Sequence, residues 1–289
     1  MKLKLGVILV AFFALTGFDR HKPAYLLYNE NGREVNYRRM MRQVKNADIL
    51  LFGELHGNPI SHWLQLEVTR DLFNTMDGNI MLAAEMFEAD NQMILDEYIG
   101  RLISESRFEE DARLWGNYHT DYKPLVDFAR EHSLPFVATN IPRRYASMVF
   151  HGGFEALDKL GEEALNYIAP LPINYDPDLP GYKAMLDMNR IGIDHANENL
   201  PKAQAIKDAT MAHFINNQWI PGKILIHFHG TYHSDNFEGI YWYLKQHNPE
   251  LNIITIATTT QQNPGQLDDD SLGRANYIIV VPDSMTRTF

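Results

Sequence analysis

The chain has 289 residues, of which 45% are hydrophobic and 22% are charged, and its formal net charge is −11. This composition predicts a folded protein with a sizeable core and excludes a disordered or fibrous chain. The acidic balance, without a block rich in Lys and Arg, argues against a nucleic-acid-binding protein, because a phosphate backbone is bound through clustered cations. Since cysteine is absent, disulfide bonds and thiolate metal ligands are excluded.

The first 18 residues have the pattern of an export signal. Lys2 and Lys4 precede an apolar run that is too short for a confident transmembrane helix and is typical of a secretory signal. We therefore expect residues 1–18 to be a signal peptide or N-terminal anchor. The mature protein is then exported, to the periplasm or to the outer membrane. The LTG sequence at 15–17 precedes the lipidated cysteine in bacterial lipoproteins, but here Phe18 follows it, so no cysteine is available for a lipid anchor.

Strand and helix patterns alternate along most of the remaining chain. A hairpin around Asn31-Gly32 and a helix from about Tyr37 to Lys45 come first. Apolar runs bounded by turn residues then predict strands at 48–52, 80–87, 134–139, 223–229, 253–257 and 275–281. Helical spacing predicts helices after Asn58-Pro59 and around 124–132 and 236–247. This alternation predicts an α/β fold with a mainly parallel sheet and helices on both faces.

Residues 143–220 differ from this pattern, because they show helical periodicity without a strand pattern and are interrupted by several prolines. We expect an all-helical subdomain inserted at this point. The α/β core domain is then formed by residues 24–142 and 221–289.

Two of the predicted strands end in a glycine followed three residues later by a histidine. The sequence GELH contains Glu54 and His56, and the sequence GTYH contains His233. Ligands bind beyond the carboxyl ends of parallel strands, so we expect both turns to face one crevice, with Glu85 as a third member. Two imidazoles and two carboxylates predict a divalent metal site. In an enzyme, the same four residues are the candidate catalytic groups, because bound metal and a carboxylate base activate water.

Structural alternatives remain for these residues. Glu54 is also suited to cap the following helix, and Glu85 to begin a helix or pair with a buried arginine. His227 and His229 alternate along one strand and therefore share a face of the sheet. We favour packed, hydrogen-bonded roles for these two histidines over ligand roles.

Motifs for dinucleotides, nucleotides, serine hydrolases and HExxH proteases are absent. Covalent attachment of haem is excluded, because it requires cysteine. A non-covalent haem site needs an apolar pocket, an axial Tyr, His or Met, and cations for the propionates. The helical segment contains these residue types, most of which we expect to be ordinary core and surface residues: Arg143, Arg144, Tyr145, Met148, Tyr175, Tyr182, Met185, Met188 and His195.

Five segments in order resemble the ChaN-like haem-binding lipoproteins, which share a superfamily with the Tiki proteases and the erythromycin esterases. The segments are DILLFGELHGNPISH, AAEMFEADNQ, YKPLVDFAREHSLPFVATNIPRRYA, KDATMAHFI and GTYHSD. The resemblance spans about residues 24–281 and implies a large parallel sheet joined to a small helical domain. It also implies iron-regulated haem handling at the cell envelope, with two haems stacked between the subunits of a dimer and each bound through a tyrosine.

The resemblance leaves two functions open. The first is a haem- or iron-binding envelope protein of a haem uptake system, a homodimer that works with membrane proteins, with Tyr145, Tyr175, Tyr182 and Arg144 as candidate haem contacts. Tyr232, inside GTYH, is a further tyrosine that we expect to line the crevice. The alternative is a metal-dependent peptidase or esterase, since the superfamily's hydrolases use the motif positions that here are Glu54, His56, Glu85 and His233. A scaffold that keeps the site without using it is a third interpretation.

Overall fold

The computed structural model describes residues 22–190 and 197–288. The expected signal peptide or anchor at 1–18 lies outside the described residues, as do the side chain of Met188 and the whole of His195. Within the described ranges, no helix is long and apolar enough to cross a membrane.

The described residues form one seven-stranded sheet in the order β1-β7-β6-β2-β5-β3-β4. Its strands are β1 (Leu26–Asn29), β2 (Ile49–Glu54), β3 (Ile80–Glu88), β4 (Phe136–Asn140), β5 (Ile224–Gly230), β6 (Ile253–Gln261) and β7 (Tyr277–Pro282). β1 pairs antiparallel with β7, and every other neighbouring pair is parallel. The predicted mainly parallel sheet is therefore confirmed.

Two details of the sheet differ from the prediction. The predicted hairpin is a turn at Gly32, with a positive φ of 72°, and a single bridge between Tyr28 and Glu34, because the main partner of β1 is β7. β6 continues to Gln261, four residues beyond its predicted end, since its threonines pair with β7. A run of threonines is polar, but its β-branched side chains favour strands.

Helices cover both faces of the sheet. They are α1 (Tyr37–Val44), α2 (Pro59–Thr75), α3 (Gln92–Ile99), α4 (Glu105–Asp111), α5 (Lys123–His132), α6 (Arg143–Gly152), α7 (Glu162–Leu165), α8 (Pro180–Arg190), α9 (Leu200–Gln218) and α10 (Ile240–His247). On β2, Leu50 and Phe52 pack with α2, α3 and α5, while Ile49 and Leu51 face α9 and α10. Burial on both faces explains why the strands appear in the sequence as unbroken apolar runs.

Helix α9 joins the helical segment to the sheet. Ala203 and Ile206, near its start, pack against α6, whereas Ala212 and Ile215, near its end, pack against the strands. Helix α9 thus packs against both the helical segment and the sheet. The proposed boundaries of the helical subdomain at 143 and 220 stay a prediction.

Strand order places the two glycine-histidine turns side by side. β5 lies between β2 and β3, and Glu54 at the end of β2 is in register with Gly230 at the end of β5. A side chain at Gly53 would place its Cβ 2.7 Å from the Cα of Thr231, so only glycine allows the end of β2 to approach the second turn this closely. After the first turn, Asn58 caps α2 by accepting from two backbone N–H groups.

Candidate functional site

The four residues singled out by the sequence line one cleft at the carboxyl ends of β2, β3 and β5. The cleft has a volume of about 550 Å³ and contains Glu54, His56, Glu85 and His233 in its wall. The two turns therefore do face a single crevice. Whether the four residues are catalytic or bind metal stays a prediction.

Glu54 and His56 form a tightly held pair on one side of the cleft. Nδ1 of His56 lies 2.8 Å from Oε1 of Glu54, which also accepts from the hydroxyl of Tyr122 at 2.8 Å. The other carboxylate oxygen accepts from Nε2 of Gln65 at 2.7 Å. Burial lowers the pKa of His56, but the hydrogen bond and charge of Glu54 outweigh it, so the pKa is raised above its ordinary value.

This arrangement decides between the alternatives for Glu54. The carboxylate is fully buried and bonded to side chains, while the cap of α2 is Asn58, so the helix-cap alternative is wrong. Because Nδ1 of His56 is bonded to Glu54, its Nε2 is the nitrogen directed toward Gly230. His56 is therefore an oriented imidazole, exposed to the cleft through one nitrogen.

A buried polar layer lies behind Glu54. His62, on α2, is 3.4 Å from Glu54 through Nδ1 and 3.4 Å from Asp121 through Nε2. The hydroxyl of Thr288 donates to Asp121 at 2.9 Å. Sequence analysis missed these residues, although His62 and Gln65 are polar and three positions apart on the inward face of α2, which is a detectable signal.

Glu85 and His233 form the other side of the site. One oxygen of Glu85 accepts from the backbone N–H of Gly230 at 2.8 Å, and the other lies 3.2 Å from Nε2 of His233. Nδ1 of His233 lies 2.5 Å from Oδ1 of Asp208, whose second oxygen accepts from the hydroxyl of Tyr182 at 2.7 Å. The buried partner of Glu85 is therefore a histidine and not an arginine.

The two carboxylates keep His233 positively charged. Burial lowers the pKa of His233, but Glu85 and Asp208 outweigh it and raise the pKa to about 10. Burial by itself raises the pKa of Glu85, but the positive charge of His233 outweighs this effect and lowers the pKa well below its ordinary range. Glu85 and His233 are thus a buried ion pair at neutral pH.

Asp208 and Gln204 were missed as site residues. Both lie on α9, and Nε2 of Gln204 is 3.0 Å from each ring nitrogen of His233. Asp208 is only 1% exposed and lies among the buried residues Ala205, Ile206 and Ala209. A carboxylate within an otherwise apolar helix face is expensive to bury unless it is paired, and this was the signal available in the sequence.

His227 and His229 belong to a separate, buried series of hydrogen bonds. Nε2 of His227 lies 2.7 Å from the hydroxyl of Thr139, Nδ1 of the two histidines are 3.0 Å apart, and Nε2 of His229 lies 2.8 Å from the hydroxyl of Ser234. Burial lowers the pKa of both histidines, that of His229 to about 3, so both are neutral. The packed, hydrogen-bonded interpretation is confirmed.

The candidate haem tyrosines lie in different environments. Tyr182 is buried with its hydroxyl on Asp208, and Tyr175 packs on it with ring centroids 5.8 Å apart, so neither faces the cleft. Tyr232 is 43% exposed and lines the cleft. Tyr145 is in the first turn of α6, with the guanidinium of Arg144 4.4 Å from the centre of its ring. Burial argues against Tyr182 as an axial ligand, and the identity of the haem ligand stays a prediction.

A second cleft adjoins the first. It has a volume of about 540 Å³ and shares Glu88, Trp115 and Arg143 with the first cleft. Arg113 and Arg144 also line it, and each forms an ion pair with Asp90. The two clefts together form one elongated surface that we call the double cleft.

The four residues of the predicted metal site are arranged as two carboxylate–imidazole pairs, and not around one point. In the ranges 22–190 and 197–288, no group of three or more His, Asp or Glu side chains is placed to hold a metal ion. The reason is visible in the pairing, because His56 uses a nitrogen on Glu54 and His233 uses both nitrogens on Glu85 and Asp208. The histidines are paired with carboxylates instead of converging on one point.

Residues over most of the chain match a protein-family model. The model described as "Haem-binding uptake, Tiki superfamily, ChaN" matches residues 40–244. The resemblance drawn from the five sequence segments is thereby confirmed. No curated protein sequence gave a significant match.

Several solved structures are similar to this one at low sequence identity. ChaN of Campylobacter jejuni, solved with cofacially bound haem, is 16% identical, with a TM-score of 0.68 over 89% of this chain and 96% of that chain. A Bacillus cereus protein is 12% identical, with a TM-score of 0.51 over 85% and 90%. An erythromycin esterase variant is 12% identical, with a TM-score of 0.46 over 89% and 83%. The α/β fold is therefore that of ChaN, and identities this low show the fold alone.

Proposed function

The chain belongs to the haem-binding ChaN family of the Tiki superfamily, and from this premise we propose that it binds haem non-covalently in the double cleft. The family match is the observation that carries the proposal. Haem binding at the cell envelope, as part of haem or iron acquisition, is the function that fits this membership and the export pattern of residues 1–18.

The double cleft has the chemical properties that a haem site requires. Each half is within the range of about 300–1,000 Å³ that is usual for small-molecule sites. Trp115, Ile141 and Met185 provide apolar surface, and Arg143 provides a cation between the two halves. A haem site needs apolar walls, an axial ligand and cations for the propionates, and all three are present here.

We propose Tyr145 as the axial ligand, because it directly follows Arg143 and Arg144 in the first turn of α6 and those two arginines line the double cleft. Nη2 of Arg144 donates to the hydroxyl oxygen of Tyr145 at 3.2 Å. A charged donor stabilises negative charge on an oxygen ligand, which is the form of tyrosine that binds ferric iron. Tyr232, at the rim of the first cleft, is the alternative ligand.

A hemin titration followed by absorption spectroscopy tests this proposal. We expect the wild type to give a ferric tyrosinate spectrum, and Tyr145→Phe to lose it because the phenol oxygen is removed. Tyr175→Phe is the matched control, since Tyr175 packs on the buried Tyr182 and its hydroxyl receives no hydrogen bond from Arg144. If Tyr232→Phe loses the spectrum instead, the ligand assignment moves to Tyr232. Absence of any spectral change at micromolar hemin would overturn haem binding.

Export, dimerisation and membrane partners belong to the same proposal. A protein with the charged and apolar pattern of residues 1–18 is expected in the periplasm or at the outer membrane, where it passes haem to or from membrane proteins of an uptake system. We expect hemin to convert the purified protein to a homodimer. Light scattering with and without hemin tests the dimer, and cell fractionation tests the location.

Hydrolysis is a second candidate function, favoured by one observation: two carboxylate–imidazole pairs at the base of the cleft. In this function, Nε2 of His56 takes a proton from water as the water oxygen attacks an ester or amide carbonyl. The carbon bond to the leaving group then breaks, and His56 returns the proton to that group. Glu54 orients the ring through its hydrogen bond with Nδ1 of His56, as the carboxylate of a catalytic triad does.

A panel of ester and peptide substrates tests the second function. His56→Asn is expected to abolish turnover, while His119→Asn, at an exposed histidine, leaves it unchanged. The pKa of His56 is raised above its ordinary value near 6.5, so the neutral base forms at a higher pH than in a free histidine. Activity is therefore expected to rise at pH values above about 6.5. Equal activity of His56→Asn and the wild type would exclude His56 as the base, and elemental analysis tests the predicted divalent metal independently.

A further inference from the structure

We infer that the start of α6, together with Arg143, Arg113 and Asn140, forms a subsite for one carboxylate group of the ligand. The inference rests on the proposed function: for haem, the carboxylate is a propionate. Its evidence is the helix terminus, the balance of charges around it, and a buried amide without a partner.

Helix α6 begins in an unusually positive environment. Its N-cap is Pro142, which offers no side-chain hydrogen bond, and its first turn contains no acidic residue. Arg143 and Arg144 occupy that turn instead. The free N–H groups at a helix start carry partial positive charge, so two arginines there add to a field that favours an anion.

The surrounding ion pairs leave one positive charge uncompensated. Arg113 pairs with Glu88 and Asp90, and Arg144 pairs with Asp90. Arg143 forms no ion pair with any residue that the structure describes, although it lines both halves of the double cleft. Three arginines thus face two carboxylates, in a protein whose formal net charge is −11.

Asn140 supplies the second, independent observation. Its side chain lies in the wall of the first cleft and is 8% exposed, yet its Oδ1 has no hydrogen-bond partner. A buried amide oxygen without a partner is unfavourable, and the NH₂ group of the same amide is a hydrogen-bond donor suited to an anion in the cleft. Asn140 is three residues before Arg143, at the end of β4, so both contribute to one connection between strand and helix.

The charge balance selects a carboxylate over a phosphate. The net charge of the three arginines with Glu88 and Asp90 is +1, which matches a monoanion. A guanidinium binds a carboxylate through two parallel hydrogen bonds, and the indole of Trp115 provides an apolar wall next to it. A propionate on an aromatic macrocycle combines these two features.

Hemin and its dimethyl ester, titrated into matched variants, test the subsite. We expect Arg143→Gln to weaken hemin binding about tenfold, the usual loss for one good ion pair with two hydrogen bonds. The wild type should bind the dimethyl ester about tenfold more weakly than hemin, and Arg143→Gln should not weaken ester binding further, because the group it recognises is absent. Arg33→Gln, an exposed arginine near the opposite edge of the sheet, is the control and should bind as the wild type does.

Asn140→Asp sharpens the test, because it replaces the amide by a carboxylate of the same shape. It should weaken hemin but not the ester. Wild-type hemin binding that is unaffected by both Arg143→Gln and esterification would overturn the subsite and leave haem binding standing.

Failure of hemin binding by the wild type would overturn the proposed function instead. Ligand-observed NMR with N-acetylphenylalanine and its amide then tests the subsite with a carboxylate from another source. Binding of the carboxylate alone, lost in Arg143→Gln, supports the subsite, and equal signals for both probes overturn it.

Discussion

Two pairs of histidines lie within a short distance of each other in this protein and have opposite properties. His227 and His229 are inside β5, bonded to each other and to hydroxyl groups, and burial lowers the pKa of both. His56 and His233 follow strand ends, each bonded to carboxylates that raise the pKa. The neighbours, and not the residue type, decide whether an imidazole is a neutral structural group or a charged group at a cleft.

The change from neutral, structural histidines to charged ones occurs at the strand ends. The backbone of β5 pairs with β3 up to Phe228 and with β2 up to Gly230, so side chains along β5 meet the adjoining layer of buried residues. Pairing of β3 with β5 ends at Ala84, and Glu85 then turns to the backbone N–H of Gly230. Charged groups concentrate at this edge because backbone donors and cleft solvent are available there.

Removing the charged histidine, His233, is expected to have the largest effect on stability. In His233→Leu, Glu85 and Asp208 stay buried without their cation, and the expected loss of unfolding free energy is about 3–5 kcal/mol. Urea denaturation measures it. His247→Leu, at an exposed position, is the control and should change stability by less than about 0.5 kcal/mol.

Restoring neutrality checks the explanation for that loss. Adding Glu85→Gln and Asp208→Asn to His233→Leu should recover part of the stability, because no unpaired charge is then buried. Equal stability losses for His233→Leu and His247→Leu would contradict the buried ion pair.

Removing a neutral histidine should cost less. His229→Leu leaves the buried hydroxyl of Ser234 without its acceptor, at an expected cost of about 1–3 kcal/mol. Adding Ser234→Ala removes the orphaned hydroxyl and should recover part of the loss. If the double variant is as unstable as the single one, lost packing and not the hydrogen bond explains the effect.

The neutral pair should also make stability depend on pH. Its pKa values are lowered in the folded protein, so the stabilisation is complete above the unfolded value near 6.5 and is lost as pH falls toward 3. Each histidine that takes up a proton only on unfolding adds a slope of up to about 1.4 kcal/mol per pH unit. Urea denaturation from pH 7 to pH 4 should show a shallower slope in His227→Leu/His229→Leu than in the wild type, and parallel slopes would contradict neutral histidines.

Gly230→Ala has the smallest expected effect on stability. It affects His56, one of the two histidines that are paired with carboxylates. The backbone φ of −58° suits alanine, but the added Cβ would lie 2.9 Å from Nε2 of His56. His56 must then move, at an expected cost of about 1 kcal/mol. NMR of the imidazole should report its displacement, whereas Gly161→Ala, where nothing lies within 4 Å of the new Cβ, should leave the spectrum unchanged.

Much of this molecule follows from local sequence patterns. Unbroken apolar runs predicted the strands, because burial on both faces leaves no polar alternation, and Asn58-Pro59 predicted the start of α2. The two glycine-histidine turns predicted one cleft, since parallel strands present their ends at one edge of the sheet. These are consequences of periodicity and strand direction, which the sequence contains.

Only the tertiary structure decided the partners. Asp208 and His62 reach the site from α9 and α2, and no spacing in the sequence predicts which helix lies over which strand end. The same is true of Arg143 and Asn140, which line the double cleft together with Trp115. Local patterns determine where a strand ends and which groups follow it, but the charge of those groups depends on neighbours that long-range packing brings within hydrogen-bonding distance.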